Sequence, residues 1–213
     1  TSIVPRARVA EPPQLAERRL VFSDPRISDH YVVRTYLAPE RDRGDQNDAA
    51  ALTLLARVLG GSPQTSVFAR KLNFGPPKAI YTSAWYSGES LDDTTFGMAI
   101  VPNDDMSLED AETAMDQAIA EFLEEGVDPD DLARIKMQIR SSEIYALDSI
   151  TNAANRYGGG LTSGLTLVDI EAWPGILEAT TQEDIIAAAH KVFDRRNAVT
   201  GFVTQSEQPE IGQ

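Results

Sequence analysis

Apolar positions along this chain switch between two spacings, and the switches mark the elements. Arg18–Ser23 alternates, with Leu20 and Phe22 on one face, and 30–38 (HYVVRTYLA) is rich in the β-branched and aromatic residues that suit a strand. Asp24 and Pro25 open a turn between the two, and the short spacing predicts that they pair as a hairpin. At 46–59 the spacing lengthens to that of a helix: Ala49, Leu52, Leu55, Ala56 and Leu59 share a face, and Gly60 and Gly61 end it. A shorter helix over 65–72 presents Phe68 and Leu72, and the loop Gly75-Pro76-Pro77 follows.

Strands are predicted at 78–86 and 94–101, a second pair. In the later one Phe96, Met98 and Ile100 share one face and Thr95, Gly97 and Ala99 the other, where small residues predict a helix or backbone lying close. The stretch 66–102 thus sits as a hinge between helical blocks. Ser107 and Asp110 open a helix over 107–125 with Leu108, Ala111, Met115, Ile119 and Phe122 as its apolar stripe. Asp128-Pro129-Asp130-Asp131 starts another, whose pattern continues to Tyr157, where Gly158-Gly159-Gly160 predicts a break. Thr166-x-x-Asp169 caps a helix that Pro174 is expected to break or kink, Thr181-x-x-Asp184 caps 181–193, and 197–204 is a last strand. These elements predict an α+β fold: a mainly antiparallel sheet of about five or six strands with helices packed largely on one face. Residues 1–17 read as a linker or arm, 18–204 as a single domain, and 205–213 as a flexible tail.

Composition changes this picture little. The 213 residues are 42% hydrophobic and 24% charged, within the ordinary globular range, and no apolar run is long enough to span a bilayer. The first residues hold no apolar core of a signal peptide and no initiator Met, which reads as a piece of a longer chain. Zero cysteines exclude disulfides, thiolate metal sites and Cys nucleophiles, and fit either the periplasm or the cytosol. A net charge of −14 disfavours nucleic-acid and anionic membrane partners and weakly favours basic peptides.

No active site assembles from residue chemistry alone. His30 and His190 are the two histidines, far apart, and neither has the second ligand that a helical zinc motif requires. There is no Gly-x-Ser-x-Gly, and Gly158-Gly159-Gly160 lacks the Lys-Ser/Thr ending of a phosphate loop. The acidic pairs Asp92-Asp93, Asp104-Asp105 and Asp130-Asp131 stand at turns and caps. Either the protein binds, or its catalytic residues belong to another segment; no catalytic and no metal-ligating residue is assigned here.

Three blocks carry a family resemblance: LTLLARVLGGSPQTSVFARKL with AIYTSAWYSG, the long run from GVDPDDLARIKMQIR to IIAAAHKVF, and the closing AVTGFVT. Together they are similar to the C-terminal half of the pitrilysin/insulinase-type (inverzincin) zinc metallopeptidases, in the bacterial branch related to the mitochondrial processing peptidase. The resemblance implies two related α+β halves closing like a clamshell around a peptide substrate. Zinc is implied for the full enzyme, on a His-x-x-Glu-His motif in the other half; the corresponding helix here, DQNDAAALTLLARVLG, has no His. Its partner is then an N-terminal catalytic half or a partner peptidase subunit, as a homo- or heterodimer, in the periplasm or cell envelope, with the cytosol left open.

Zinc-free assisting subunits of this family carry an Arg and a Tyr seven residues apart. Here Asn73 stands at the Arg position and Tyr81 follows eight residues on, so the resemblance favours the half of a zinc-bearing subunit. It implies Asn73, Tyr81, Trp85 and Tyr86 as candidate substrate-binding residues. The alternatives are a non-catalytic interaction or scaffold subunit of the same fold, and an unrelated peptide-binding α+β domain.

Overall fold

The computed structural model of the protein describes residue 12 and residues 14–74, 78–146 and 148–206. The loop expected at Gly75-Pro76-Pro77, most of the N-terminal arm and most of the tail lie outside these residues. Among the described residues five strands form one sheet: β1 (Arg18–Ser23), β2 (Tyr31–Ala38), β3 (Ala79–Tyr86), β4 (Thr94–Pro102) and β5 (Ala198–Thr204), in the order β1-β5-β2-β4-β3. β3–β4, β4–β2 and β2–β5 are antiparallel, as the α+β reading expects.

The first expected hairpin is not formed. β5 lies between β1 and β2, pairing parallel with β1 and antiparallel with β2. The composition of the strands gives the reason: β5, AVTGFVT, carries no charge and fills a central, largely buried place, whereas β1 opens with Arg18 and Arg19 and is exposed along its length, which suits an edge.

Six α-helices among the described residues accompany the sheet: α1 (Asn47–Gly60), α2 (Leu108–Glu125), α3 (Pro129–Ala146), α4 (Ile150–Thr162), α5 (Leu167–Ala179) and α6 (Gln182–Val192). The expected 65–72 helix appears as a short segment that ends in a π-helical turn, Ala69–Asn73. Val32, Tyr36, Phe96, Met98 and Ile100 point from β2 and β4 into a core completed by Leu54, Leu55 and Leu59 of α1 and by Met115 and Phe122 of α2. Gly60 lets α1 end hard against the sheet, since a Cβ there would collide with the backbone of Ser83 and Ala84. Thr166 and Thr181 each close a capping box, with Asp169 and Asp184.

Two expected helix breaks are not breaks. The long pattern from Asp128 divides instead between Ala146 and Ile150, where Ser149 caps α4 by accepting from the Asn152 N–H at 3.2 Å. Gly158, Gly159 and Gly160 then lie inside α4, because α4 and α5 approach closely; a Cβ at Gly160 would fall 2.6 Å from Ile170 Cδ1. Pro174 likewise lies inside α5. Its missing N–H would orphan the Ile170 carbonyl, but Arg156 Nη2 donates to that oxygen at 3.1 Å. Arg156 also pairs with Glu143 of α3 at 2.7 Å, so one guanidinium holds three helices. Arg156→Met is expected to lower stability by about 1–3 kcal/mol in urea unfolding, the cost of leaving a polar group without its partner.

A buried cation fixes the other side of α5. Arg41 donates to the Gln46 side chain and to the Asp169 carbonyl (3.0 Å), and its guanidinium stacks 4.0 Å from the centre of the Trp173 ring. Burial lowers its pKa from the ordinary 12.5, and Glu89 opposes that from 3.3 Å.

Candidate functional site

The helices cover one face of the sheet, and alternation sends the remaining side chains to the other. Pairing places Tyr81 opposite Val101, Ser83 opposite Ala99, and Trp85 opposite Gly97. Next across the sheet come Val33 and Thr35 of β2, then Val199 and Gly201 of β5, and Leu20 and Phe22 of β1. A Cβ at Gly201 would meet Val33 and Leu20 side chains, which confirms that these share a face. Across five strands the face carries one charged residue, Arg18, in a chain that is 24% charged. It is broad, uncharged apart from Arg18, and no helix among the described residues lies over it.

Trp85 is its largest feature. The indole lies flat across the opposite strand, so close to Gly97 that any side chain there would displace it. This is why β4 carries its small residue at that point: Gly97 makes room for a ring rather than for the helix or backbone expected there. Trp85 remains 36% exposed and Tyr81, on the same edge strand and face, 53%. Exposed aromatics with a rigid base are the side chains that most often anchor a binding surface.

The four expected contact residues do not form one cluster. Tyr81 and Trp85 lie on the open face. Asn73 and Tyr86 lie on the helix side. Asn73 accepts from Thr82 Oγ1 (2.7 Å) and donates to the Ala79 carbonyl (3.1 Å), tying the π-helical turn to β3. Tyr86 donates to the Pro39 carbonyl at 2.6 Å, and burial raises its pKa above the ordinary 10.0. Both therefore fix the position of the strand that carries Tyr81 and Trp85.

The largest polar cluster was not expected. Arg34, on the helix side of β2, is fully buried and donates to Glu112 and Asp116 of α2 and to Thr200 Oγ1 (3.0 Å). Arg19 of β1 forks onto Glu112 at 2.8 and 2.6 Å. Arg195 joins Asp116 (2.7 Å) to Glu17 (3.0 Å), which also accepts from Thr200 at 2.9 Å. Three cations and three carboxylates thus bind β1, β2, β5 and α2 together. Every group faces a partner, and the cluster reads as structural. The signal was present in the sequence: alternation puts Arg34 in line with Val32 and Tyr36, which face the core.

No zinc site fits these residues. His30 precedes β2 and His190 lies on α6, and among the described residues no three His, Asp or Glu side chains converge as metal ligands.

The sequence profile described as the peptidase M16 inactive domain matches residues 2–139. The chain belongs to this family. Solved structures share the fold of the M16 domain. A protease from Helicobacter pylori superposes with a TM-score of 0.85 at 18% identity, over 96% of this chain and 48% of that one. A peptidase M16 inactive domain from Pseudomonas fluorescens gives 0.73 at 18% identity, over 96% of this chain and 48% of that one. The first half of the periplasmic protease PqqL from Escherichia coli gives 0.75 at 12% identity, over 95% of this chain and 45% of that one. The M16 domain thus spans about half the length of these relatives. Curated protein sequences offer no match. Among the described residues no helix is long and apolar enough to cross a membrane.

Proposed function

We propose that this M16 domain is the non-catalytic, C-terminal half of a zinc metalloendopeptidase, forming one wall of a chamber that encloses a peptide. The observation that carries the reading is the open sheet face, uncharged across all five strands but for Arg18, with Trp85 and Tyr81 standing on it. Such a face gives an extended peptide apolar contact and excludes water from it, without charges that would select one sequence. Zinc and the hydrolytic groups belong to the N-terminal partner half, or to a partner peptidase subunit in a homo- or heterodimer. One structural relative, PqqL, is a periplasmic protease, which supports placement in the periplasm or cell envelope.

The test is photo-cross-linking in the complete two-half protease, with p-benzoylphenylalanine in place of Tyr81 or, as control, of Met137 on the outer face of α3. Labelled peptide is expected to cross-link at position 81 and not at 137. Labelling at 137 alone would place the peptide on the wrong side of the domain.

A further inference from the structure

β1 is an unusual edge. Its inner side pairs with β5, and among the described residues no strand pairs with its outer side. Leu20, Val21 and Phe22 are all exposed, Val21 by 74%. Proteins ordinarily blunt such an edge with charged side chains, proline or a bulge. In Arg18–Ser23 the charges stand only at its start, Arg18 and Arg19; Leu20–Ser23 carries no charge and no proline, and the register with β5 runs unbroken from Arg18 to Ser23.

A groove of about 640 Å³ borders this edge at Arg19, Leu20 and Val21. Phe202, Met106 and Leu108 supply apolar lining. Asp29, Asp104 and Glu109 stand on its exposed rim, and none has an ion-pair partner among the described residues. The one arginine in the groove, Arg19, is already committed to Glu112 and lies 5.0 Å over the Phe202 ring. The groove is thus an apolar cleft beside free backbone, with a carboxylate rim whose charge is not compensated locally.

We propose that the β1 edge binds an extended peptide segment of alternating apolar and basic residues. Its backbone pairs with Arg18–Ser23, apolar side chains enter the groove, and basic ones meet Asp29, Asp104 and Glu109. A second copy of this chain fits poorly, because two acidic rims would face each other on molecules of net charge −14. The β1 edge lies across the sheet from the strand of Tyr81 and Trp85, although the far end of the groove reaches Ile80 of β3, and the proposal does not rest on the chamber reading.

Fluorescence anisotropy with labelled octapeptides tests it: alternating Val and Lys, alternating Val and Glu, and the Val/Lys peptide N-methylated at alternate residues. The expected result is at least a tenfold preference for Val/Lys over Val/Glu, and at least a tenfold loss on N-methylation in the register that removes the pairing N–H groups. The double variant Asp104→Lys with Glu109→Lys, at exposed positions, should abolish the preference or reverse it. Affinity for Val/Lys should also fall several-fold from about 50 to about 300 mM salt, a readout that needs no variant. Hydrogen exchange should slow within Arg18–Ser23 when the peptide is bound. Equal affinity for the two charge types, indifference to both N-methylation registers, protection of β3 in place of β1, or a dimer in light scattering that excludes the peptide would each overturn the proposal. Trp85→Ala should leave this binding unchanged while weakening the chamber, so failure of one site is distinguishable from failure of the other.

Discussion

Arg34→Met is expected to lower the unfolding free energy by about 3–5 kcal/mol, the largest stability loss of any single change considered. The guanidinium is fully buried and serves Glu112, Asp116 and Thr200 at once. Removing it leaves carboxylates short of a partner where water cannot replace it, and breaking a buried pair from one side costs that much. Lysine at position 34 should recover only part of the loss, because an ammonium cannot fork between two carboxylates and a hydroxyl. Urea unfolding of the three proteins checks the order: native, then lysine, then methionine.

The same cluster sets an acid dependence. Burial pushes the Glu112 pKa up, but hydrogen bonds from Arg19 and the charge of Arg34 outweigh it, and the pKa lies below the ordinary 4.5. A carboxyl group held lower in the fold than in the unfolded chain stabilises above its unfolded pKa. That contribution is lost as pH falls through the folded value. Glu112→Gln should therefore be less stable than the native protein at neutral pH, and the gap should narrow below about pH 4.5.

Trp85→Ala is expected to reduce kcat/KM of the complete two-half protease on an extended peptide by about thirtyfold, equivalent to about 2 kcal/mol for an aromatic anchor. The loss should fall mainly in KM, since the ring contacts substrate remote from the scissile bond. Global stability should change less than in Arg34→Met, because the indole is 36% exposed and lies on the uncovered face. Gly97→Val provides the companion variant. It keeps Trp85 in the sequence but displaces the ring from its bed, and should mimic the loss of binding. Normal kcat/KM in both variants would remove the open face from substrate binding.

How far the sequence reaches depends on how local each cause is. α1, α2 and the two capping boxes were legible because spacing and caps lie within a few residues of each other. The parallel β1–β5 pair was not, since Arg18 and Val199 meet across nearly the whole chain. Gly158–Gly160 and Pro174 look like breakers until the tertiary contacts are known: Ile170 fills the space at Gly160, and Arg156 takes over the carbonyl that Pro174 leaves. At the candidate site, Trp85 and Tyr81 were legible as aromatics on a strand, while that strand's place at the edge of the sheet was not. Strict alternation also separates 81, 83 and 85 from 82, 84 and 86, and applying it to Tyr86 would have placed that residue with the core.

In the proposed division of labour, this half encloses peptide and leaves zinc chemistry to its partner. Metal analysis of the purified 213-residue chain, run beside a cleavage assay on an extended peptide, tests this directly. The prediction is zinc far below one equivalent and no cleavage until the catalytic half is supplied. One tightly bound zinc per chain, with cleavage by the chain alone, would contradict it.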